Sequence, residues 1–227
     1  MAPRYAVYFA PAPETALGAF GAGWLGGAPA SVAGIPAGRL LAITAAPRRY
    51  GFHATIKAPF RLHPETSESD LRAGLEALCA DLRPVPLGRL RLSEIDGFLA
   101  LVPAAPPRAL ARLERAAVTR LDAARAPLDE EDRARRARAR LSPRQVRLFA
   151  RWGYPYVLEE FRFHMTLTER LAAQDERARV AAALTERLVS LLEAPIVLDA
   201  LALLVEEEPA APFRVLARVP LSGTSRM

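Results

Sequence analysis

Two segments 111 residues apart carry one pattern, and together they restrict the fold more than anything else in the chain. The first is Gly51-Phe52-His53-Ala54-Thr55-Ile56-Lys57. The second is Phe161-Arg162-Phe163-His164-Met165-Thr166-Leu167-Thr168. Both read Phe-His-x-Thr, and both alternate polar with apolar residues, the period of a half-buried strand. His53, Thr55 and Lys57 share a face, with Phe52, Ala54 and Ile56 behind them. Arg162, His164, Thr166 and Thr168 share a face, backed by Phe161, Phe163, Met165 and Leu167. The chain has three histidines, and two of them stand in this setting. Two strands presenting the same polar face to one site imply a duplicated architecture.

The surrounding pattern repeats as well. A strand at Arg4–Ala10 is ended by Pro11 and Pro13, and a short helix with Leu17, Phe20 and Trp24 at helical spacing follows. Gly26–Gly38 reads as a loop, a candidate lid, and a short helix at Arg39–Ala45 leads into a motif strand over Tyr50–Phe60. A helix starting near Ser69 buries Leu71, Leu75, Leu78 and Leu82, and strands over 87–92 and 97–102 flank the turn Glu94–Gly97. In the second half, Pro106-Pro107 opens a helix with Leu110, Leu113, Ala117 and Leu121 inward. An Arg-rich helical insertion covers 129–151 and breaks near Ser142-Pro143. The aromatic turn Trp152–Tyr156, the second motif strand, a helix from Asp175 and a closing strand pair at 196–205 and 213–219 complete it. Each half runs strand, helix, motif strand, helix, two strands. The expected fold class is α+β: one bilobal domain over 1–227, lobe 1 over about 1–105 and lobe 2 over about 106–227. Antiparallel sheets should line a central cleft with helices outside.

Composition narrows the function classes. Cys79, the single cysteine, excludes an internal disulfide and reads as a small buried side chain. No apolar run approaches the roughly 20 residues of a membrane helix, and the N-terminal stretch reads as a strand rather than a signal peptide. The expectation is a soluble, cytoplasmic, monomeric protein with no membrane partner. The net charge of +6 is local: Arg133 to Arg151 holds eight arginines and no acids, and without them 23 basic residues face 25 acidic ones. That stretch reads either as a solvated helix offset by Asp129–Asp132 or as a basic flank for an anionic substrate. Of 31 basic residues only Lys57 is lysine. A compact ammonium two positions beyond Thr55 suits a phosphate oxygen.

On a strand, residues two apart lie roughly 6.5–7 Å apart on one face. Each motif therefore sets a histidine beside a threonine hydroxyl. Two imidazoles, one neutral and one protonated, can divide the proton transfers of phosphodiester hydrolysis near neutral pH, while the threonines donate to phosphate oxygens. No metal or cofactor is needed: His-x-Thr is a poor ligand spacing, and no carboxylate stands at a matching offset. His63, in a polar loop, reads as surface.

These residues resemble the two-histidine (2H) phosphoesterase superfamily, the LigT-like fold, whose signature is two His-x-Thr/Ser motifs about a hundred or more residues apart. Arg48–Phe60 and Arg151–Thr168 are similar to one branch of it, linked with bacterial phosphonate metabolism. Arg4–Pro11 and Phe20–Leu25 share that likeness. The resemblance implies His53 and His164 as the acid/base pair and Thr55 and Thr166 as phosphate ligands. Lys57 is added as a phosphate ligand, and Tyr5, Tyr154, Tyr156, Arg162 and Thr168 as substrate contacts, from strand face and proximity alone. The implied partner is a small phosphorylated substrate, concretely a cyclic ribosyl phosphate such as 5-phosphoribosyl 1,2-cyclic phosphate. Two alternatives stay open: an RNA-end 2′,3′-cyclic phosphodiesterase, with nucleic acid as the second-ranked partner, and a non-catalytic phosphometabolite-binding protein.

Overall fold

The structure, a computed structural model, describes residues 2–26, 31–137 and 140–223. In chain order the strands are Arg4–Phe9 (β1), Ala54–Phe60 (β2), Val85–Gly88 (β3), Leu90–Ile95 (β4), Phe98–Pro103 (β5), Met165–Thr166 (β6), Ile196–Leu198 (β7), Ala200–Glu206 (β8) and Arg214–Pro220 (β9). The helices are Ala16–Leu25 (α1), Ala37–Tyr50 (α2), Glu68–Asp81 (α3), Arg108–Arg120 (α4), Glu130–Ala137 (α5), Pro143–Trp152 (α6) and Gln174–Glu193 (α7).

Seven strands form one antiparallel sheet in the order β4-β5-β6-β2-β1-β8-β9, and β3 pairs with β7 apart from it. The order reads alike outward from the centre. β6 and β2 are neighbours, each flanked by the opening strand of its own half, β5 or β1. The two motif strands therefore do not face one another across a gap. They are hydrogen-bonded partners in the middle of one sheet, and the cleft lies over its face.

Alternation decides which face that is. In β1, Tyr5, Val7 and Phe9 enter the main core, whereas Ala6, Tyr8 and Ala10 form a smaller cluster with Ala202 and Leu204 on the other side. The main core takes the stripe read from the sequence, Leu71, Leu75 and Leu78 of α3, together with Val180, Leu184 and Leu188 of α7, all buried. Each fully buried leucine contributes about 1.5–3 kcal/mol, so these stripes hold α3 and α7 to the apolar face.

Local chemistry sets the boundaries. Ser67 accepts from Asp70 N, and the Asp70 carboxylate answers Ser67 N, a capping box that starts α3. Ser142 and Gln145 do the same for α6 with Pro143 in the first turn, which is why the Arg-rich stretch breaks there. Asp96 (φ 47°) and Gly97 (φ 88°) make the two-residue turn between β4 and β5, where both positions need a left-handed backbone.

Two expectations change, and part of two others falls outside the described residues. The short helix at 39–45 runs on to Tyr50, so the first motif strand starts at Ala54. Residues 27–30 of the candidate lid, and Arg138 with Ala139 of the Arg-rich stretch, lie outside the described residues. The second motif strand, expected over 161–168, pairs regularly only at Met165–Thr166. Its alternation persists, with Phe163, Met165 and Leu167 buried. The ladder ends because Leu167 N and Thr168 N both donate to one acceptor, Leu99 O, at 2.8 and 3.3 Å. The Thr168 hydroxyl then accepts from Leu99 N at 3.0 Å. Trp24 Nε1 of α1 donates to Leu167 O at 2.8 Å and fixes this irregular segment from below.

Candidate active site

β2 and β6 pair with Ala54 opposite Met165. Carrying that antiparallel register one residue to each side sets His53 opposite Thr166 and Thr55 opposite His164. The four side chains share one face in a diamond, each histidine beside the other motif's threonine, with directly opposed Cβ atoms about 4.5–5.5 Å apart. His53, Thr55 and Thr166 line a cleft of about 820 Å³, together with Tyr8, Tyr50, Phe98 and Tyr154. His164 does not itself line the cleft; its ring lies 5.7 Å from that of Phe98, which does.

Both imidazoles are oriented by the same device. His53 Nδ1 lies 2.8 Å from Gly51 O, and His164 Nδ1 lies 2.7 Å from Arg162 O, each carbonyl two residues upstream. A carbonyl only accepts, so Nδ1 carries the proton in each neutral ring and Nε2 is left as the reactive nitrogen. At His53, Nε2 is 3.3 Å from the Thr55 hydroxyl. Gly51 adopts φ 73°, ψ 176°, a conformation essentially reserved for glycine, and this aims its carbonyl at His53.

The surroundings differ. His53 stacks on Tyr8 at 3.9 Å between centroids, with Tyr50 at 6.0 Å. Burial there pushes the His53 imidazole down from 6.5 to about 4; the Gly51 bond works the other way, and the neighbouring His164 lowers it further. His53 is therefore neutral at pH 7.

The remaining sequence-derived residues separate. Lys57 lines the cleft base, but its ammonium donates to Val118 O at 3.1 Å and faces Asp122 at 3.5 Å. It is a buried tie between β2 and α4, and it reaches a phosphate only by leaving those partners. Burial first, set against the Asp122 charge, lowers its amine from 10.5 to about 8. Thr168 lines the cleft but is fully buried, and its hydroxyl accepts from Leu99 N, splicing the sheet. Tyr5 is on the core side of β1, and its hydroxyl donates to Glu68 at 3.1 Å. The tyrosine presented to the cleft is Tyr8. Tyr154 lines the cleft, with Tyr156 edge-on to it at 5.6 Å and itself exposed. Arg162 is exposed, and what it supplies to His164 is its backbone carbonyl.

Sequence reasoning missed Tyr8, Tyr50, Phe98, Trp152, Arg4, Arg49 and Glu206, which also line the cleft. Beyond Arg4, β1 is apolar or aromatic on both faces, so little in its pattern says which tyrosine faces the site. Tyr50, three residues before His53, was the legible signal.

The chain is 41% identical over 231 residues to a protein of Janthinobacterium sp. (strain Marseille) named "Ribose 1,5-bisphosphate phosphokinase PhnN", covering 97% of this chain and 51% of that protein. It is 36% identical over 235 residues to a protein of the same name from Laribacter hongkongensis (strain HLHK9), covering 99% of this chain and 54% of the other. The chain thus spans about half the length of the curated relatives it matches. Among solved structures, E. coli LigT complexed with 3′-AMP aligns at TM-score 0.46 and 13% identity, over 98% of this chain and 99% of that one. A structure described as a phosphoesterase aligns at TM-score 0.45 and 14% identity, over 98% and 99%. Residues 55–214 match the family described as "Protein of unknown function (DUF1045)", and the chain belongs to that family.

Proposed function

We propose that the chain is a phosphodiesterase that opens the cyclic phosphate of a small ribosyl substrate by paired-histidine acid/base catalysis without a metal. The observation that carries this reading is the diamond of His53, Thr55, His164 and Thr166, with both Nδ1 atoms tied to carbonyls and both Nε2 atoms left for chemistry. The phosphate sits between the two motifs, its non-bridging oxygens accepting from Thr55 and Thr166. His53, neutral at pH 7, takes a proton from the attacking water. His164 gives a proton to the departing oxygen, and the two histidines exchange states through solvent after turnover.

The relatives' name supports a ribosyl substrate. If water attacks the phosphorus of 5-phosphoribosyl 1,2-cyclic phosphate and the bond to O2 breaks, O2 takes the proton from His164 and the phosphate stays on C1. The product is ribose 1,5-bisphosphate, the compound in that name. A phosphate-cradling glycine loop ending in lysine does not exist in this chain: its one lysine, Lys57, follows Ile56 within β2. The kinase named in those relatives then belongs to the part of them this chain does not match, and this half supplies its substrate in the setting of phosphonate catabolism.

Phosphorus NMR of the product tests the reading. Ribose 1,5-bisphosphate is expected; a 2,5-bisphosphate reverses the direction of ring opening, and an untouched cyclic ester counts against the reading itself. An RNA-end enzyme would instead show binding that weakens steeply with salt.

A further inference from the structure

One end of the cleft, on the β1 and β8 side, holds a charge arrangement that the proton transfers do not use. Arg4 opens β1 and is registered with Glu206 at the end of β8. Arg49 comes from the last turn of α2, four residues before His53. Both guanidinium groups close on Glu206, whose carboxylate is 1% exposed, while the arginine side chains keep 21% and 30% of their surface. Arg4, Arg49 and Glu206 all line the cleft. Burial works to raise the Glu206 pKa, but the bonds from Arg49 and Arg4 outweigh it and hold the carboxyl below its usual range.

Exposure separates this corner from the other ion pairs on the cleft wall. Arg61 is matched by Asp129 and Asp132, and Asp122 is shared by Arg151 and by Lys57 and Arg125, whose side chains keep only 4% and 12% of their surface. At the β1 corner two arginines share one carboxylate, leaving a fixed net positive charge. Each guanidinium has five N–H donors, more than Glu206 and the Ala211 carbonyl, 3.4 Å from Arg49 Nε, can take up. The corner is also walled and shaped. Phe213 stacks on Tyr50 at 5.2 Å, and Phe213 N donates to Arg49 O at 2.8 Å. Ala210, which lines the same corner, holds φ 69°, a left-handed backbone that favours glycine. Strain of this kind gathers at ligand sites.

We infer that Arg4 and Arg49, oriented by Glu206, form a second anion subsite that takes the non-reacting phosphate of a substrate bearing two phosphoryl groups. A planar fork pre-aimed by a buried carboxylate suits a phosphate dianion, which accepts from both guanidiniums at once. The sheet links the two sites: Tyr8 stacks on His53 and stands on the same strand face as Arg4, and Arg49 belongs to the segment that delivers His53. The subsite would select ribosyl phosphates that carry a 5-phosphate over nucleoside or RNA cyclic ends. This inference rests on the phosphoesterase reading for its substrate, though not for its anion.

Two readouts keep the claims apart. In the first, kcat/KM is measured for ribose 5-phosphate 1,2-cyclic phosphate and for the same cyclic phosphate with a free 5-hydroxyl. Wild type should favour the phosphorylated compound by at least 100-fold. Arg49→Lys and Arg4→Lys, which keep Glu206 paired, should lower its kcat/KM by about 10-fold or more through KM while shifting the 5-hydroxyl compound less than 3-fold. Equal losses on both compounds, or no wild-type preference, overturn the subsite. In the second, calorimetry follows ribose 5-phosphate, which has no cyclic ester to open. His53→Ala should bind it as wild type does and Arg49→Lys at least 10-fold more weakly. Arg72→Ala, which alters the same charge on α3 beside Glu76, should leave binding unchanged. Loss of hydrolysis with this binding pattern intact would overturn the enzyme and spare the subsite, whereas equal binding by wild type and Arg49→Lys overturns the subsite alone.

Discussion

His53 and His164 are held by the same bond and differ in their covering. Each Nδ1 meets a carbonyl two residues upstream, but only His53 lies against Tyr8. That cover lowers its proton affinity, and under the proposed mechanism this gives it the basic role. As pH falls through about 4, His53 takes up a proton and can no longer accept one from water, so the acid limb of kcat/KM should lie near pH 4. Tyr8→Leu lets water reach the imidazole and raises its pKa toward 6.5, so a pH profile should show the acid limb moving up by as much as about 2 units. Gly51→Ala forces alanine into a glycine-only conformation beside the motif. Thermal denaturation should register a loss of about 1–3 kcal/mol, and activity should fall further because the Gly51 carbonyl no longer sets the tautomer.

Strand β6 is two residues long, and what holds the second motif in place lies outside its ladder. Thr168 supplies one bond, and Thr168→Val should lower stability by about 1–3 kcal/mol by orphaning Leu99 N. Activity of the folded fraction should be kept, and a loss of kcat in fully folded protein would restore Thr168 as a substrate contact. α4 supplies another. Glu114 is fully buried, and both its oxygens accept from Leu158 N, at 3.0 and 3.2 Å, fixing the turn before Phe161. Burial raises its carboxyl from 4.5 to about 7. Glu114→Gln keeps an acceptor and removes a poorly solvated charge, so urea denaturation at pH 8 should find it near wild type. Glu114→Ala leaves Leu158 N unpaired and should cost about 1–3 kcal/mol in the same experiment.

Across the whole molecule, the duplicated motif made the pairing of two histidines legible, because alternation fixes a face and repetition fixes a partner. The helical stripes were legible for the same reason: Leu71, Leu75 and Leu78 can be buried together only on a helix. What the pattern could not carry was register. Nothing local says that Ala54 sits opposite Met165, so the crosswise diamond and the single continuous sheet emerge only from the fold. Nor does local sequence predict the partners that long side chains find. Lys57 looked like a free ammonium until Val118 and Asp122 closed on it, and Arg4 gained meaning only through Glu206, 202 residues away. The most direct test of the account is the rate at which wild type, His53→Ala and His164→Ala hydrolyse ribose 5-phosphate 1,2-cyclic phosphate with a chelator present. Wild type should turn it over, and each alanine variant should lose about 100-fold or more in kcat/KM; an inert wild type, or an alanine variant at the wild-type rate, would contradict the paired-histidine mechanism.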